Sequence, residues 1–299
     1  MRSRKALFFT LISFVFVFIL ISAHKIDFDY QETGKAQSIM SRVNVMNDFI
    51  ESLEQDAERA LYISGLRSII SFNNYIMENN DPIDPDVAFG EIMINGTIGG
   101  EEALLMQEQT LPEWQSRVED IADDLDLALD LEMHDVRVEH DTPWSVRASM
   151  VLNYSLDDDR DVASFNRSST VSASILIVEL QDPLYSLNGL GENQIIRAED
   201  AVIGPSDVIQ HLSEGTYINS TAAPSFLMRM EGDHGSSPYG IESILNLSLG
   251  NVENKSCVDY TYVDLSSPAN GSLVDGVSPS YPWFRLDTYH CNLFAVNCT

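Results

Sequence analysis

Four groups of residues have the types that do chemistry, and spacing decides what each could do. Asp233-His234-Gly235-Ser236-Ser237 puts an acid, an imidazole and two hydroxyls in one short run. A serine hydrolase needs its nucleophile on a sharp, rigid turn of the G-x-S-x-G type, with a histidine delivered from elsewhere. Gly235-Ser236-Ser237 lacks that frame. His134 and His140 lie six apart, with Glu139 and Asp141 beside the second. On a strand that spacing separates the two imidazoles by roughly 20 Å, too far to share an ion. Asp157, Asp159 and Asp161 alternate like the opening of a calcium loop. The sixth and twelfth positions, where Gly and Glu belong, hold Val162 and Ser168. The three cysteines, Cys257, Cys291 and Cys298, form no C-x-x-C pair, which speaks against zinc and thioredoxin-type chemistry. There is no P-loop, G-x-G-x-x-G or H-E-x-x-H. The reading is of no enzyme, no catalytic set, no bound metal and no cofactor.

Composition narrows the partners. The net charge is −29, with 46 acidic against 17 basic residues. A surface that negative repels phosphates, which excludes nucleic acid as a partner. An acidic, lysine-poor exterior suits high salt or a cation-rich medium. Hydrophobic residues make up 44 % of the chain, enough for a real core. A mean hydropathy of −0.07 excludes a multi-span membrane protein.

Those groups must be positioned by something, and the first element is at the N-terminus. Residues 1–5 read as a cytoplasmic basic leader, carrying Arg2, Arg4 and Lys5. Ala6 to Ala23 is uncharged. As a helix it would span roughly 27 Å, close to the hydrocarbon thickness of a bilayer. Asp27, Asp29 and Glu32 follow. Positive charge before the run then orients a single span, with residues 6–23 in the bilayer and the rest of the chain outside the cell. Three fates compete. An uncleaved anchor fits the length and the flanks. A cleaved signal peptide has a shorter apolar stretch and a small-x-small site, whereas Ile21-Ser22-Ala23 puts Ile where a small residue is wanted. The third fate is cleavage between Ala6 and Leu7.

Two further features point outside the cell. N-x-S/T sequons occur at Asn95, Asn153, Asn166, Asn219, Asn246, Asn254, Asn270 and Asn297. They spread over the whole region beyond the apolar run and are candidate glycosylation sites on exposed loops. In an oxidising exterior the cysteines predict one disulfide. Cys257–Cys291 would clamp the tail to the domain, and Cys291–Cys298 would close a small terminal loop.

Residues 24–80 predict a long amphipathic helix. Ile39, Val43, Met46, Ile50, Leu53, Ala57, Leu61, Ile69, Phe72 and Ile76 recur mostly three or four apart. Gly34 and Gly65 are soft spots where it could begin or bend, and Asn79-Asn80-Asp81-Pro82 ends it. Residues 81–299 predict an extracellular α+β domain. Thr110 caps a second helix with Trp114, Val118, Ile121, Leu125 and Leu129 on its apolar face. From Leu131 the period changes to two. In Met133–His140, His134, Val136, Val138 and His140 share one face. Ser145–Leu156 is a second strand. A third, broken around Asn166-Arg167-Ser168-Ser169, ends at Ile175–Val178. Together they predict an antiparallel meander over about 131–179, with the long helix packed on one face. Residues 180–299 read as loop-rich, with a short helix at Ser206–Ser213 and a strand at Val258–Val263.

A short basic leader, an apolar helix, its amphipathic continuation and an antiparallel sheet resemble the type IV pilin or pseudopilin plan over roughly Arg4 to Val178. Arg4-Lys5-Ala6 before Leu7-Phe8-Phe9 resembles the archaeal processing site, although Thr10 and Leu11 stand where bacterial pilins carry Glu. Two further stretches look similar to uncharacterised archaeal membrane-anchored surface proteins. One runs from Thr142 to Tyr185, with Thr142-Pro143-Trp144-Ser145-Val146-Arg147 and Asp182-Pro183-Leu184-Tyr185. The other runs from Pro224 to Tyr262, with Pro224-Ser225-Phe226-Leu227, Gly240-Ile241-Glu242-Ser243 and Val258-Asp259-Tyr260. The resemblance implies a pilin-like structural or assembly component on the cell surface. It would touch the lipid bilayer through residues 6–23 and like subunits through the N-terminal helix. An anchored ectodomain that binds a ligand or the envelope is the alternative, and an extracellular hydrolase the least supported.

Overall fold

The computed structural model describes residues 35–160, 162–247, 254–264, 266 and 269–299, and of residues 2–34 only the helical backbone. The apolar run 6–23, the Ala6–Leu7 site and Gly34 therefore lie outside the described side chains. Among the described residues no helix is long and apolar enough to cross a membrane.

The fold is α+β, with a long N-terminal helix and antiparallel sheets. Helix α1 runs Arg2–Asn79. It stops where expected: Asn80 takes a left-handed φ of 53° while its N–H still reaches the Ile76 carbonyl at 2.8 Å. Asn tolerates that conformation and cannot continue the helix from it. From Met46 onward the apolar stripe is buried, through Leu53, Ala57, Leu61, Ile69, Phe72 and Ile76. Ile39, expected in the stripe, is half exposed.

Helix α2 (Pro85–Asn95) is capped by Asp84, whose carboxylate accepts from the Asp86 N–H at 3.0 Å. A hairpin of β1 (Thr97–Ile98) and β2 (Glu101–Glu102) turns at Gly99-Gly100, both with positive φ. A 3-10 turn, Leu104–Met106, leads to α3 (Leu111–Asp124). Thr110 caps α3, as the sequence predicts, and with Glu113 it forms a reciprocal capping box: the Thr110 N–H donates to Glu113 at 2.9 Å, and the Glu113 N–H donates to the Thr110 hydroxyl at 3.4 Å. The buried face of α3 is Leu111, Trp114, Val118 and Ala122. Ile121 and Leu125, expected on it, are exposed, because Ala122 continues the 111–114–118 track and those two lie off it.

Strands β3 (Leu127–Thr142), β4 (Ser145–Asp158) and β5 (Ser164–Leu176) form one sheet in the order β3-β4-β5. The two-residue connection from β3 to β4 permits only antiparallel pairing. β5 is continuous through Asn166–Ser169, where a break was expected. Polar side chains face solvent there while the backbone stays in the sheet. The alternation in β3 is interrupted at Asp135, which has φ 52°. Before it the odd positions Leu127, Leu129, Leu131 and Met133 face inward; after it Val136, Val138 and His140 do. One extra residue in a strand moves every later side chain to the other face. His134 and His140, expected on one face, are therefore on opposite faces.

The region expected to be loop-rich contains regular structure. It holds α4 (Pro183–Leu187), β6 (Ile196–Arg197), α5 (Pro205–Glu214), β7 (Thr216–Asn219), α6 (Phe226–Glu231), β8 (Ile241–Ser243), α7 (Asp259–Val263), β9 (Ser272–Leu273), β10 (Arg285–Leu286) and α8 (Thr288–Leu293). β6 and β7 pair in parallel across the α5 crossover, and β8 joins β7 antiparallel with Tyr217 opposite Ser243. β9 pairs with β10. A second core of Leu184, Val208, Leu212, Val258, Phe284 and Phe294 lies here. Val258–Val263, expected as a strand, is the single-turn α7.

The chain divides into two compact units: Met1–Gln55 with Glu119–Asp130 and Tyr154–Arg167, and Asp56–Val118 with Leu131–Asn153 and Ser168–Thr299. Within the first, Arg42 pairs with the buried carboxylate of Asp158 and donates to the Asp126 carbonyl at 2.5 Å. Glu54 accepts from the Tyr154 hydroxyl at 3.1 Å. Within the second, α1 comes so close to the sheet at Gly65 that a Cβ there would sit 2.5 Å from Ile175 Cδ1. Gly65, expected to bend the helix, is instead a contact point. Phe72 and Phe89 meet edge-on at 4.8 Å, fixing α2 against α1.

Gly240 is the most tightly enclosed glycine among the described residues of the second unit. A Cβ there would lie 2.1 Å from the Ala223 carbonyl oxygen and 2.2 Å from that of Ser220. Both oxygens are held, because Ala223 O accepts from Ser237 and Ser220 O from Ala223. Gly240→Ala is expected to destabilise the protein by about 2–3 kcal/mol, since backbone has to move. Gly90→Ala in α2, where nothing lies within 4 Å, is expected to stabilise it by about 1 kcal/mol. Urea unfolding of both variants checks the contrast, and equal effects would show that close approach is not what Gly240 provides.

Candidate functional site: a buried ionic cluster

The residues that the sequence marks as candidate chemistry do not converge. His134 contacts Glu132 at 3.2 Å on the exposed side. His140 stacks on Tyr239 at 5.4 Å and lies 3.4 Å from the Ser225 hydroxyl. Asp233 uses its carboxylate on the Gly235 N–H at 2.8 Å, and no hydrogen bond joins His234 to Ser236 or Ser237 among the described residues. Asp161 lies outside the described residues. In its turn the inward group is Asp158, which accepts from the Arg160 N–H at 3.0 Å and the Val162 N–H at 3.3 Å. Its hydrogen bond with Arg42 holds its carboxyl below the usual range. No group of three or more potential metal ligands comes together among the described residues.

Cys291 and Cys298 form a disulfide with Cα atoms 6.2 Å apart. Of the two pairings the sequence leaves open, this is the one that closes the terminal loop. Cys257 is free and buried, and burial pushes its thiol up to about 11. Seven sequon asparagines are exposed, and Asn153 on β4 is half-buried.

What does converge is a set that no motif marks. Asp182, Arg229 and Asp259 have fully buried side chains. Arg229 sits on α6 and donates to Asp182 at 2.5 Å. Its other terminal nitrogen reaches Asp259 at 3.0 Å and the Ile241 carbonyl. Asp182 is the cap of α4 and accepts from the Leu184 N–H at 2.9 Å. Tyr217 donates its hydroxyl to Asp182 at 2.9 Å and accepts from Asn193 at 2.7 Å. Ser243 donates both its N–H, at 3.1 Å, and its hydroxyl, at 3.0 Å, to Asp259. That leaves the Ser243 oxygen to accept from Tyr185 at 2.7 Å. Each carboxylate thus has a full set of donors, the condition under which a buried charge is tolerated. Burial raises the pKa of both carboxyls and Arg229 opposes it; the charge of Asp259 raises Asp182 further, and that of Glu242 raises Asp259.

Strand β8 connects this cluster to a second one. Neighbouring residues on a strand face opposite ways. Ser243 turns to Asp259, and Glu242 turns to His290 of α8 at 3.3 Å. His290 also contacts Asp287 at 2.6 Å, and Asp287 accepts from Ser256 at 2.7 Å. Burial alone would lower the His290 pKa. The hydrogen bonds and charges of Asp287 and Glu242 overcome it and raise the value to about 9.

Two stretches far apart along the chain, within 142–185 and 224–262, meet here. The first supplies Asp182 and Tyr185, and the second Arg229, Glu242, Ser243 and Asp259. The cluster is closed to solvent. It ties α4, α6, α7, α8 and the β7–β8 pair into one body. The only sequence signal for it was the short D-P-L-Y, G-I-E-S and V-D-Y runs. Arg229 and His290 had none. The chain matches no protein-family model, no curated protein and no solved structure.

Proposed function

We propose that the chain is a membrane-anchored surface protein built on the pilin-like plan, acting as a structural or assembly component. The observation that carries this reading is the continuity of α1, Arg2–Asn79. The apolar sequence 6–23 and the stripe that begins at Met46 belong to one uninterrupted helix. In this reading residues 6–23 lie in the bilayer, the leader is cytoplasmic, and the acidic domain is extracellular. Exposed apolar side chains on the first unit support contact with like subunits: Ile39 and Met40 on α1, Ile121 and Leu125 at the end of α3. A lone anchored ectodomain that binds a ligand or the envelope has the same topology.

N-terminal sequencing of the native protein, combined with peptide mass mapping, tests the reading. Pilin-type processing leaves Leu7 as the first residue, with glycan mass on exposed sequons and none on Asn153. An intact Met1 or Arg2 start identifies the plain anchor. A start at His24 overturns both.

A further inference from the structure

Strand β6 pairs with β7 only at Thr216 and Tyr217, so the last two residues of β7, Ile218 and Asn219, border an open edge on that side. A groove of about 370 Å³ lies along this edge. Its volume is within the usual range for small-molecule sites, roughly 300–1,000 Å³. Trp144, Arg197, Glu199, Ile203, Asn219 and Leu293 line it. Arg197 stacks over the Trp144 ring at 5.2 Å, and Ile203 and Leu293 are 61 % and 43 % exposed. An aromatic ring, aliphatic side chains and charged hydrogen-bonding groups in one groove suit a ligand with an apolar face and a polar rim. A sugar ring has both.

Asn219 says how a sugar would come to be there. It is exposed and heads the sequon Asn219-Ser220-Thr221, whose Thr221 is exposed as well. Register fixes its face. Arg197 is paired with Tyr217, and Asn219 lies two residues further along β7. Paired residues share a face of the sheet, and so do residues two apart. Asn219 therefore projects from the same face as Arg197, the residue stacked on Trp144. Asn246, another sequon residue, borders a cavity of only about 170 Å³. A sugar tied to the groove wall needs little affinity of its own, because a short tether gives an effective concentration on the order of millimolar.

We propose that Asn219 carries an N-linked glycan whose first sugars occupy this groove. The inference rests on the extracellular reading above. Attachment transfers the glycan from a lipid-linked phosphate donor. The anomeric carbon bonds to Asn219 Nδ2, its bond to the phosphate oxygen breaks with the electron pair leaving on the phosphate, and the amide nitrogen gives up one proton. The apolar face of the sugar packs on Trp144, and its hydroxyls hydrogen-bond to Arg197 and Glu199.

Peptide mass mapping and hydroxyl-radical footprinting test this on the full chain from the cells that make it, with and without Thr221→Ala. That substitution removes the sequon and leaves the groove lining intact. Glycan mass is expected at Asn219, and oxidative labelling of Trp144 is expected to be at least threefold lower than in Thr221→Ala. Leu104, 78 % exposed and outside the groove, is expected to label equally in both. Thr221→Ser keeps the sequon and is expected to keep the glycan and the protection. Asn219→Gln gives the same comparison if Thr221→Ala does not fold. Glycan on other sequons and none at Asn219 would overturn the proposal, as would a glycan at Asn219 with Trp144 labelling unchanged by its loss. Glycan nowhere on the chain would overturn the extracellular glycoprotein reading, and this inference with it.

Discussion

Arg229→Met is expected to destabilise the protein by about 3–5 kcal/mol, the cost of leaving buried charge without its partner. Asp182 and Asp259 are both desolvated and both depend on this one guanidinium. Without it, their remaining donors are Tyr217, Ser243 and backbone amides, and the two carboxylates repel each other. Lysine does not restore the site, because a single ammonium cannot reach both carboxylates and the Ile241 carbonyl at once. Urea unfolding of the purified full chain measures the loss. Adding Asp182→Asn and Asp259→Asn to Arg229→Met is expected to recover part of it, since the stranded charges are then gone. A single-variant cost under about 1 kcal/mol, the range of exposed ion pairs, would show that the site opens to water.

Raising the pH from 6.5 to above 9 is expected to remove about 3 kcal/mol of stability through His290 alone. Its folded pKa is about 9, against about 6.5 for a free histidine. A group whose pKa is raised on folding binds its proton more tightly in the native state. Its stabilisation is therefore complete below pH 6.5 and is lost as pH climbs through 9. The same interaction, counted once, appears at the other partner. Asp287 loses by burial but gains more from His290, and is held at about 2. Its share persists at neutral pH and falls away below about pH 3.8. Unfolding midpoints measured across pH 6–10 check this. His290→Gln is expected to flatten the alkaline slope, and an unchanged slope in that variant would assign it to another group.

How much of this could be read beforehand depended on distance along the chain. The α1 stripe, the Thr110 cap, the meander and α5 are local patterns, with partners three or four residues apart or joined by tight turns. The small mixed sheet was hidden because β6, β7 and β8 are two to four residues long, too short for any period to register. Asp135 hid the faces of β3, because a single left-handed residue leaves no mark in an alternating sequence. Val258–Val263 alternates like a strand yet forms α7, since Asp259 is drawn inward by Arg229, thirty positions earlier. The ionic cluster joins residues 47 and 30 apart, and none of them sits in a recognisable spacing.

By itself, then, the sequence determined an acidic chain with a near-bilayer apolar run, a long helix after it and an antiparallel sheet. Hydrophobic periodicity and charge are properties of neighbours and of sums. Which charges are buried was decided only by the tertiary structure. A carboxylate reads the same on a surface loop as beside Arg229, and its energy depends on which donors the fold brings within 3 Å of it.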